Sequence, residues 1–422
     1  MTLFVAAVLL ADTLRLAPGI HQGPLVLSRP TVVLAAPGAV LRGTGSGTVL
    51  EIRAAGSVVR GLRIERSGRD PDRYDAGVLV AADSVVLENL VLREILFGVY
   101  VKQARGVVLR GLDIAGPPGL PESKRGDGIT FYSSRGVLAE HNRITSVRDG
   151  LYFSYSDSIT IVDNTVTGVR FGVHYMFSHA NRFERNVFSD NAAGAVIMFS
   201  RGLTVSGNVF AWNAGTRSYG LVLQQATDAS VTGNLLVGNG IGVFFDNAIR
   251  ARFTDNVVAG NWLGMQLFSN SEATRITGNA VFANTFEATG GSDSAAYHLC
   301  VDGRGNYWGG GGYDLNGDGV LDAAHAAASP LAELALNRAG LRLWLNSPAA
   351  NTLAWAERTF PVFAVSGATD RCPLAAPATP VVWNRLPAAP VAHSGSRTGQ
   401  SAAAGLTLLL GLAALVTRRR GI

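Results

Sequence analysis

Residues Gly150 to Asn191 read GLYFSYSDSITIVDNTVTGVRFGVHYMFSHANRFERNVFSDN, and the second half of the stretch repeats the pattern of the first. Each half opens on a glycine followed by apolar residues at alternate positions: Gly150, Leu151 and Phe153, then Gly172, Val173 and Tyr175. Each reaches an asparagine fourteen residues later, Asn164 and then Asn186. In between, runs such as Ile159-Thr160-Ile161 alternate apolar and polar with period two, which reads as short strands and no helix.

Working outward, the period holds. Glycines opening a Gly-apolar-x-apolar run fall at Gly77, Gly98, Gly128, Gly150, Gly172, Gly194, Gly220, Gly242 and Gly264, with steps of 21, 30, 22, 22, 22, 26, 22 and 22. A second column, Asn142, Asn164, Asn186, Asn208, Asn234, Asn256 and Asn279, and a third, Asn191, Asn213, Asn239, Asn261 and Asn284, keep the same register. A fixed period of this size marks a repeat architecture. The expectation is an all-β solenoid, a parallel β-helix of about ten coils of 22 residues, in which each residue stacks on its equivalent about 4.8 Å away. In that geometry asparagine suits a left-handed turn and stacks its amide into a ladder, and the glycine column is expected to relieve the same turn strain. The residues one and three after each marker glycine are apolar or aromatic and face the core. The intervening positions face outward: Thr130, Tyr152, His174, Val196 and Gln266 in one column, Tyr132, Ser154, Met176, Met198, Gln224 and Asp246 in the next. The longer steps place loops near Ser67 to Ala76, Ala115 to Asp127 and Ala214 to Tyr219.

Composition agrees with such a fold. The chain has 422 residues, 47% of them hydrophobic, with a net charge of only +5, which excludes disorder. Two cysteines exclude a disulfide scaffold, and 50 glycines without a Gly-X-Y register exclude collagen. The arginines are scattered apart from one terminal triplet, so no nucleic-acid partner is expected.

The ends differ from the repeat. Residues 1–11 read as a secretion-signal remnant with no basic residue ahead of its apolar run, and 12–300 as the β-helix, with irregular first coils over 31–64. A Gly/Asp-rich loop is expected over 301–328, a helical extension over 329–372 with segments Pro330–Leu345 and Pro348–Phe360, a Pro/Ala linker over 373–401, and a hydrophobic anchor or sorting tail over 402–422 that ends in Arg418, Arg419 and Arg420.

Candidate chemistry is sparse. Asp127 and Asp149 each precede a marker glycine and stack one coil apart, the best carboxylate pair for acid–base work, yet their column holds Phe171, Ala193 and Tyr219 and no basic or nucleophilic third member. Turn capping is the simpler reading. Met176 and Met198 share an outward column one coil apart, with His174 two residues before Met176 on the same face and His179 in the following turn. Thioether and imidazole donors suit a soft cation such as copper(I); the alternative is an apolar stripe with Tyr132 and Tyr152 that meets a partner. Asp314, Asn316, Asp318 and Asp322 with Gly319 match the opening of a calcium loop, but its last position is His325 where a bidentate Glu is needed. Cys300 and Cys372 can form one bridge in an oxidising compartment, while His298 beside Cys300 allows a metal reading instead.

Seven stretches resemble the NosD family. They are Gly172-Val-His-Tyr-Met-Phe-Ser-His-Ala-Asn181, Met198-Phe-Ser-Arg-Gly-Leu-Thr-Val205, Tyr219-Gly-Leu-Val-Leu223, Gln266-Leu-Phe-Ser-Asn-Ser-Glu272, Gly305-Asn-Tyr-Trp308, Tyr313-Asp-Leu-Asn-Gly-Asp-Gly319 and Trp355-Ala-Glu-Arg-Thr-Phe-Pro-Val362. The resemblance runs from about Asp12 to about Pro373. It implies a right-handed, pectin-lyase-like β-helix in the periplasm with no hydrolase role, and so not an enzyme. It also implies work in assembling the copper–sulfur centres of nitrous oxide reductase, with an ABC transporter's ATPase and membrane subunits and a copper chaperone. On that resemblance copper is the expected metal for His174, Met176, His179 and Met198, and the helices after Ser329 are the expected contact with the membrane subunit. The weak N-terminal signal, Cys372 and the hydrophobic tail depart from the family pattern, and the expectation that the tail tethers the protein to the inner membrane comes from its own apolar run and basic end. The alternative function is a carbohydrate-binding or carbohydrate-active β-helix.

Overall fold

The computed structural model describes residues 12–215, 218–291, 296–310, 312–338, 340–341, 347–349, 352, 367–378 and 383–390. The expected signal remnant, the apolar tail and most of the second helix-like segment lie outside them. By internal packing the chain falls into two units, Met1–Val209 and Phe210–Ile422.

In the first unit, short strands recur in threes and pair in parallel with their equivalents one coil away, giving three sheets. The crossover between parallel strands is right-handed, as it almost always is. The first sheet opens on Asp12–Leu16, the second on Gly19–Gln22 and the third on Leu25–Leu27. The second unit repeats the plan, with its first sheet running through Ser230–Thr232, Arg252–Thr254, Thr274–Thr277 and Tyr297–His298. Nine first-sheet strands in one unit and four in the other exceed the ten coils expected. The extra coils escaped the glycine arithmetic because the register Leu25↔Leu50↔Val78 puts Pro24 and Val49 where later coils carry the marker glycine.

The pairing follows the parity of the sequence. Ile129, Leu151 and Val173 stack in one inward column and Phe131, Phe153 and Tyr175 in another, all at most 1% exposed. Ring centroids 4.7 and 5.1 Å apart make the second column a continuous aromatic core.

The asparagine column forms the expected amide ladder, but neither marker column supplies the left-handed turn residue. The left-handed residue of each turn is the one before the asparagine: His141, Asp163 and Arg185 have φ near +54°. The asparagine itself is buried, and its Oδ1 accepts both the backbone N–H and the Nδ2 of the asparagine one coil earlier, at 2.9 and 2.8 Å for Asn164 and Asn142. The marker glycines have ordinary backbone angles. They are glycine because the next coil lies too close: a Cβ on Gly242 would stand 2.6 Å from the Gly264 carbonyl oxygen, and one on Gly264 2.6 Å from that of Glu287.

In the second unit the outward residues of the second sheet are apolar and buried, among them Val237, Ala259 and Phe282. Part of the expected linker lies over this face: Trp383 packs its edge against Phe282, and Trp212 Nε1 donates to the Pro387 carbonyl at 2.9 Å. Of the helical extension, Pro330–Asn337 is an α-helix with Ser329 as its N-cap. The asparagine ladder of this unit runs on to Asn306 and stops there. Buried Asp370 accepts from Asn306 N–H at 2.7 Å, from Trp308 Nε1 at 3.0 Å and from Cys372 N–H at 3.0 Å. Cys372 is bonded to Cys300, which removes the thiolate that a metal reading with His298 required.

Candidate functional site

The outward face of the third sheet in the first unit carries the chemistry. Parallel register brings Thr130, Tyr152, His174 and Val196 into one row and Tyr132, Ser154, Met176 and Met198 into the next. Met176 and Met198 are therefore direct neighbours on adjacent strands, about 4.8 Å apart along the axis, with His174 two residues before Met176 on the same face. Both methionines are half-buried.

His174 is held on several sides. Its Nδ1 lies 2.9 Å from Asp149 Oδ2, and the ring meets Tyr152 and Phe171 edge-on at 5.0 and 5.4 Å. Arg170 grips the same carboxylate with both ends of its fork, Nε on Oδ1 at 2.8 Å and Nη2 on Oδ2, and lies over the Phe171 ring at 4.3 Å. Asp149 thus has two basic partners. The isolated carboxylate pair expected from the sequence is really the acidic half of an Asp–Arg–His cluster. Column arithmetic missed Arg170 because it lies one residue outside the strand, and missed His174 because it sits in a different column. A long arginine can cross that gap.

The two carboxyl groups are driven apart. Burial, reinforced by the charge of Asp149, pushes Asp127 up to about 7. Burial also acts on Asp149, but hydrogen bonds from His174 and Arg170 outweigh it and hold that carboxyl below its usual range. Burial, with the charge of Asp127 behind it, raises Tyr152. Further along the face, Tyr74 stacks on Tyr100 at 5.0 Å, and burial pushes the Tyr100 phenol up to about 12.

The remaining candidates lie elsewhere. His179 is exposed in the turn, its N–H bonded to Asp157 at 2.7 Å and its backbone bridged to Arg201. In the Gly/Asp-rich loop, Asp314 accepts from the N–H groups of Gly317, Asp318 and Gly319, Asn316 Nδ2 donates to Asp318, and Asp322 accepts from Leu315 N–H. These side chains are bonded within the loop itself, mostly to its backbone N–H groups. Among the described residues no three His, Cys, Asp or Glu side chains come together as a metal-holding group, and no helix is long and apolar enough to cross a membrane. One feature the sequence reading passed over is a serine ladder behind the face, Ser134 N–H to Ser156 Oγ at 3.0 Å and Ser156 N–H to Ser178 Oγ at 2.9 Å.

A family model described as "Periplasmic copper-binding protein (NosD)" matches residues 98–312, which include Asp127, Asp149, Arg170, His174, Met176 and Met198. Two relatives are named "Probable ABC transporter binding protein NosD". The one from Stutzerimonas stutzeri is 38% identical over 85% of this chain and 86% of its own length. The one from Pseudomonas aeruginosa is 39% identical over 85% and 87%. Among solved structures, the A-module of the mannuronan C-5 epimerase AlgE6 of Azotobacter vinelandii aligns with a TM-score of 0.54 at 16% identity, covering 71% of this chain and 90% of its own, a likeness of fold alone.

Proposed function

The chain belongs to the NosD family of periplasmic copper-binding proteins, and from that membership we propose that it acts outside the cytoplasm in the maturation of nitrous oxide reductase, handling copper on the His174–Met176–Met198 face. In this reading copper is cargo. It arrives from a copper chaperone and is used in building the copper–sulfur centres of the reductase, and the protein is coupled to the ATPase and membrane subunits of an ABC transporter. The names of the two relatives support the transporter link.

The observation that carries the copper assignment is the register Met176↔Met198 on an outward strand face with His174 beside it. Two thioethers and an imidazole form a soft donor set that fits copper(I) and is a poor match for calcium or magnesium. His179 is outside this set by position and is not needed for it. The test is anaerobic copper(I) titration against a chromogenic chelator with wild-type protein and with Met176→Ala/Met198→Ala. Loss of the tightest site in the double variant is expected; unchanged binding would remove the assignment.

A second reading, a carbohydrate-active β-helix, is supported by the Asp149–Arg170–His174 cluster with Tyr152 and Asp127 beside it. Incubation with acidic polysaccharides, followed by absorbance of unsaturated products, tests it. Turnover lost in His174→Gln would establish it in place of the copper reading.

A further inference from the structure

The His174 side chain is fixed more firmly than a core histidine requires, and the groups that fix it decide which nitrogen is left for a ligand. An ionised carboxylate has only acceptor positions, and Arg170 occupies both Asp149 oxygens with charged donors, so Asp149 is ionised and the contact with His174 Nδ1 has the imidazole as donor. Arg170 Nη2, itself a donor, also stands near Nδ1 but at 3.5 Å, and the closer 2.9 Å contact with the carboxylate decides where the proton sits. In the neutral imidazole Nδ1 therefore carries the hydrogen and Nε2 the lone pair; no hydrogen bond to Nε2 is found among the described residues. The edge contacts of Tyr152 and Phe171 restrain rotation of the ring. The cluster is largely withdrawn from water: side-chain exposure is 2% for Asp149, 17% for His174 and 26% for Arg170.

We propose that Asp149, clamped by Arg170, is a positioning residue that locks His174 as the Nδ1–H tautomer and so presents Nε2 as the imidazole donor of a copper(I) site completed by Met176 and Met198. The inference rests on the copper reading above and adds the residues that make the site competent before metal arrives. Histidines that ligate metals commonly give their other N–H to a carboxylate, which sets tautomer and ring orientation, and loss of that partner typically costs about 10–100-fold in metal affinity. A histidine free to carry its proton on either nitrogen would meet the metal with Nε2 blocked part of the time. Here the lock is built from two adjacent coils, with Asp149 and Tyr152 on one strand and Phe171 and His174 on the next, so the site depends on the register of the solenoid.

The test has two readouts on the full chain. Protein labelled with ¹⁵N-histidine has seven imidazoles to resolve, and His174 is identified by the signal that vanishes in His174→Gln. Long-range ¹H–¹⁵N spectra of the metal-free wild type should show His174 as a single Nδ1–H tautomer. An Nε2–H or mixed His174 would overturn the proposal, and this needs no variant that could misfold. Asp149→Val/Arg170→Met then removes the buried ion pair as a unit, leaving neither charge stranded. It should lose the fixed tautomer and weaken copper(I) binding about 10–100-fold in competition with bicinchoninate. Affinity within twofold of wild type in a folded double variant would also overturn it. Met176→Ala/Met198→Ala separates the two levels. If copper binding ignores the methionines, the copper reading fails and this inference with it; if binding needs the methionines but not the Asp149–Arg170 pair, only the inference fails.

Discussion

Replacing Asn186 by Ala should open one coil of the first unit and leave its outer faces intact. The side chain makes four hydrogen bonds, all near 2.9 Å: Oδ1 accepts from Asn164 N–H and Nδ2, and Nδ2 donates to the Ile161 carbonyl and to Asn208 Oδ1. The losses are unequal. Asn164 Nδ2 keeps the Ala139 and Val162 carbonyls, and Asn208 Oδ1 keeps the Asn186 N–H. The Asn164 backbone N–H keeps nothing, and a buried donor left unmade costs about 1–3 kcal/mol where an ordinary lost bond costs about 1. Together the change is worth about 4 kcal/mol. Because repeat arrays unfold by segments, the assay is amide hydrogen exchange read by mass spectrometry on peptides spanning Thr160–Ser189, not a global melt. At about 1.4 kcal/mol per decade, exchange there should quicken roughly a thousandfold. Arg185→Ala, which removes an exposed ion pair with Asp163 beside the ladder, should leave it nearly unchanged. Protection within tenfold of wild type in Asn186→Ala, or an equal loss in Arg185→Ala, would refute the view that the amide ladder sets local stability.

Other perturbations follow from the same geometry. Asp127, buried and raised to about 7, binds its proton more tightly folded than unfolded; its contribution is fully present below about pH 4 and is lost as pH rises towards 7. Asp127→Asn should therefore raise the melting temperature at pH 8 more than at pH 4.5, and an equal shift at both would contradict the assignment. Asp149, held low, works the other way: its stabilisation is present at neutral pH and disappears on acidification, so Asp149→Asn should matter less at acid pH in the same melts. Cys300→Ser/Cys372→Ser opens a loop of 72 residues, which chain entropy sets at about 4 kcal/mol; limited proteolysis should then cut near Ala368–Ala378 in the variant and spare the wild type. Gly242→Ala should destabilise far more than Gly233→Ala. The first drives a Cβ to 2.6 Å from a backbone oxygen, whereas the second meets open space at φ +64° and costs only about 1–2 kcal/mol. Thermal melts of the two variants decide it.

How legible the protein was depended on periodicity. Wherever the 22-residue repeat carried the information, as in the columns ending on Val173 and Tyr175 or the pairing of Met176 with Met198, sequence arithmetic placed residues in their actual rows. It failed where side chains reach between columns. Arg170 lies just outside its strand and was invisible to parity, yet it makes Asp149 an ionised hydrogen-bond acceptor. The reason for the glycine column was also beyond the sequence, since close approach of neighbouring backbones and left-handed turns both favour glycine and only φ separates them. Cysteine spacing left open whether Cys300 bonds Cys372 or stands with His298; the folded position of the Asp370 turn closes that question.

Asp370 also bears on what happens beyond the last coil. Every asparagine in the ladder donates to the next one and demands an acceptor from it, so an uncapped end is a template that a strand from another molecule could extend. At Asn306 the demand is met by a carboxylate, which has no N–H to pass on, and Cys372, two residues later, bolts that carboxylate in place through Cys300. The periodicity that makes the coils easy to stack would otherwise let separate chains polymerise end to end; a single acidic side chain in the terminal position gives the array a defined length.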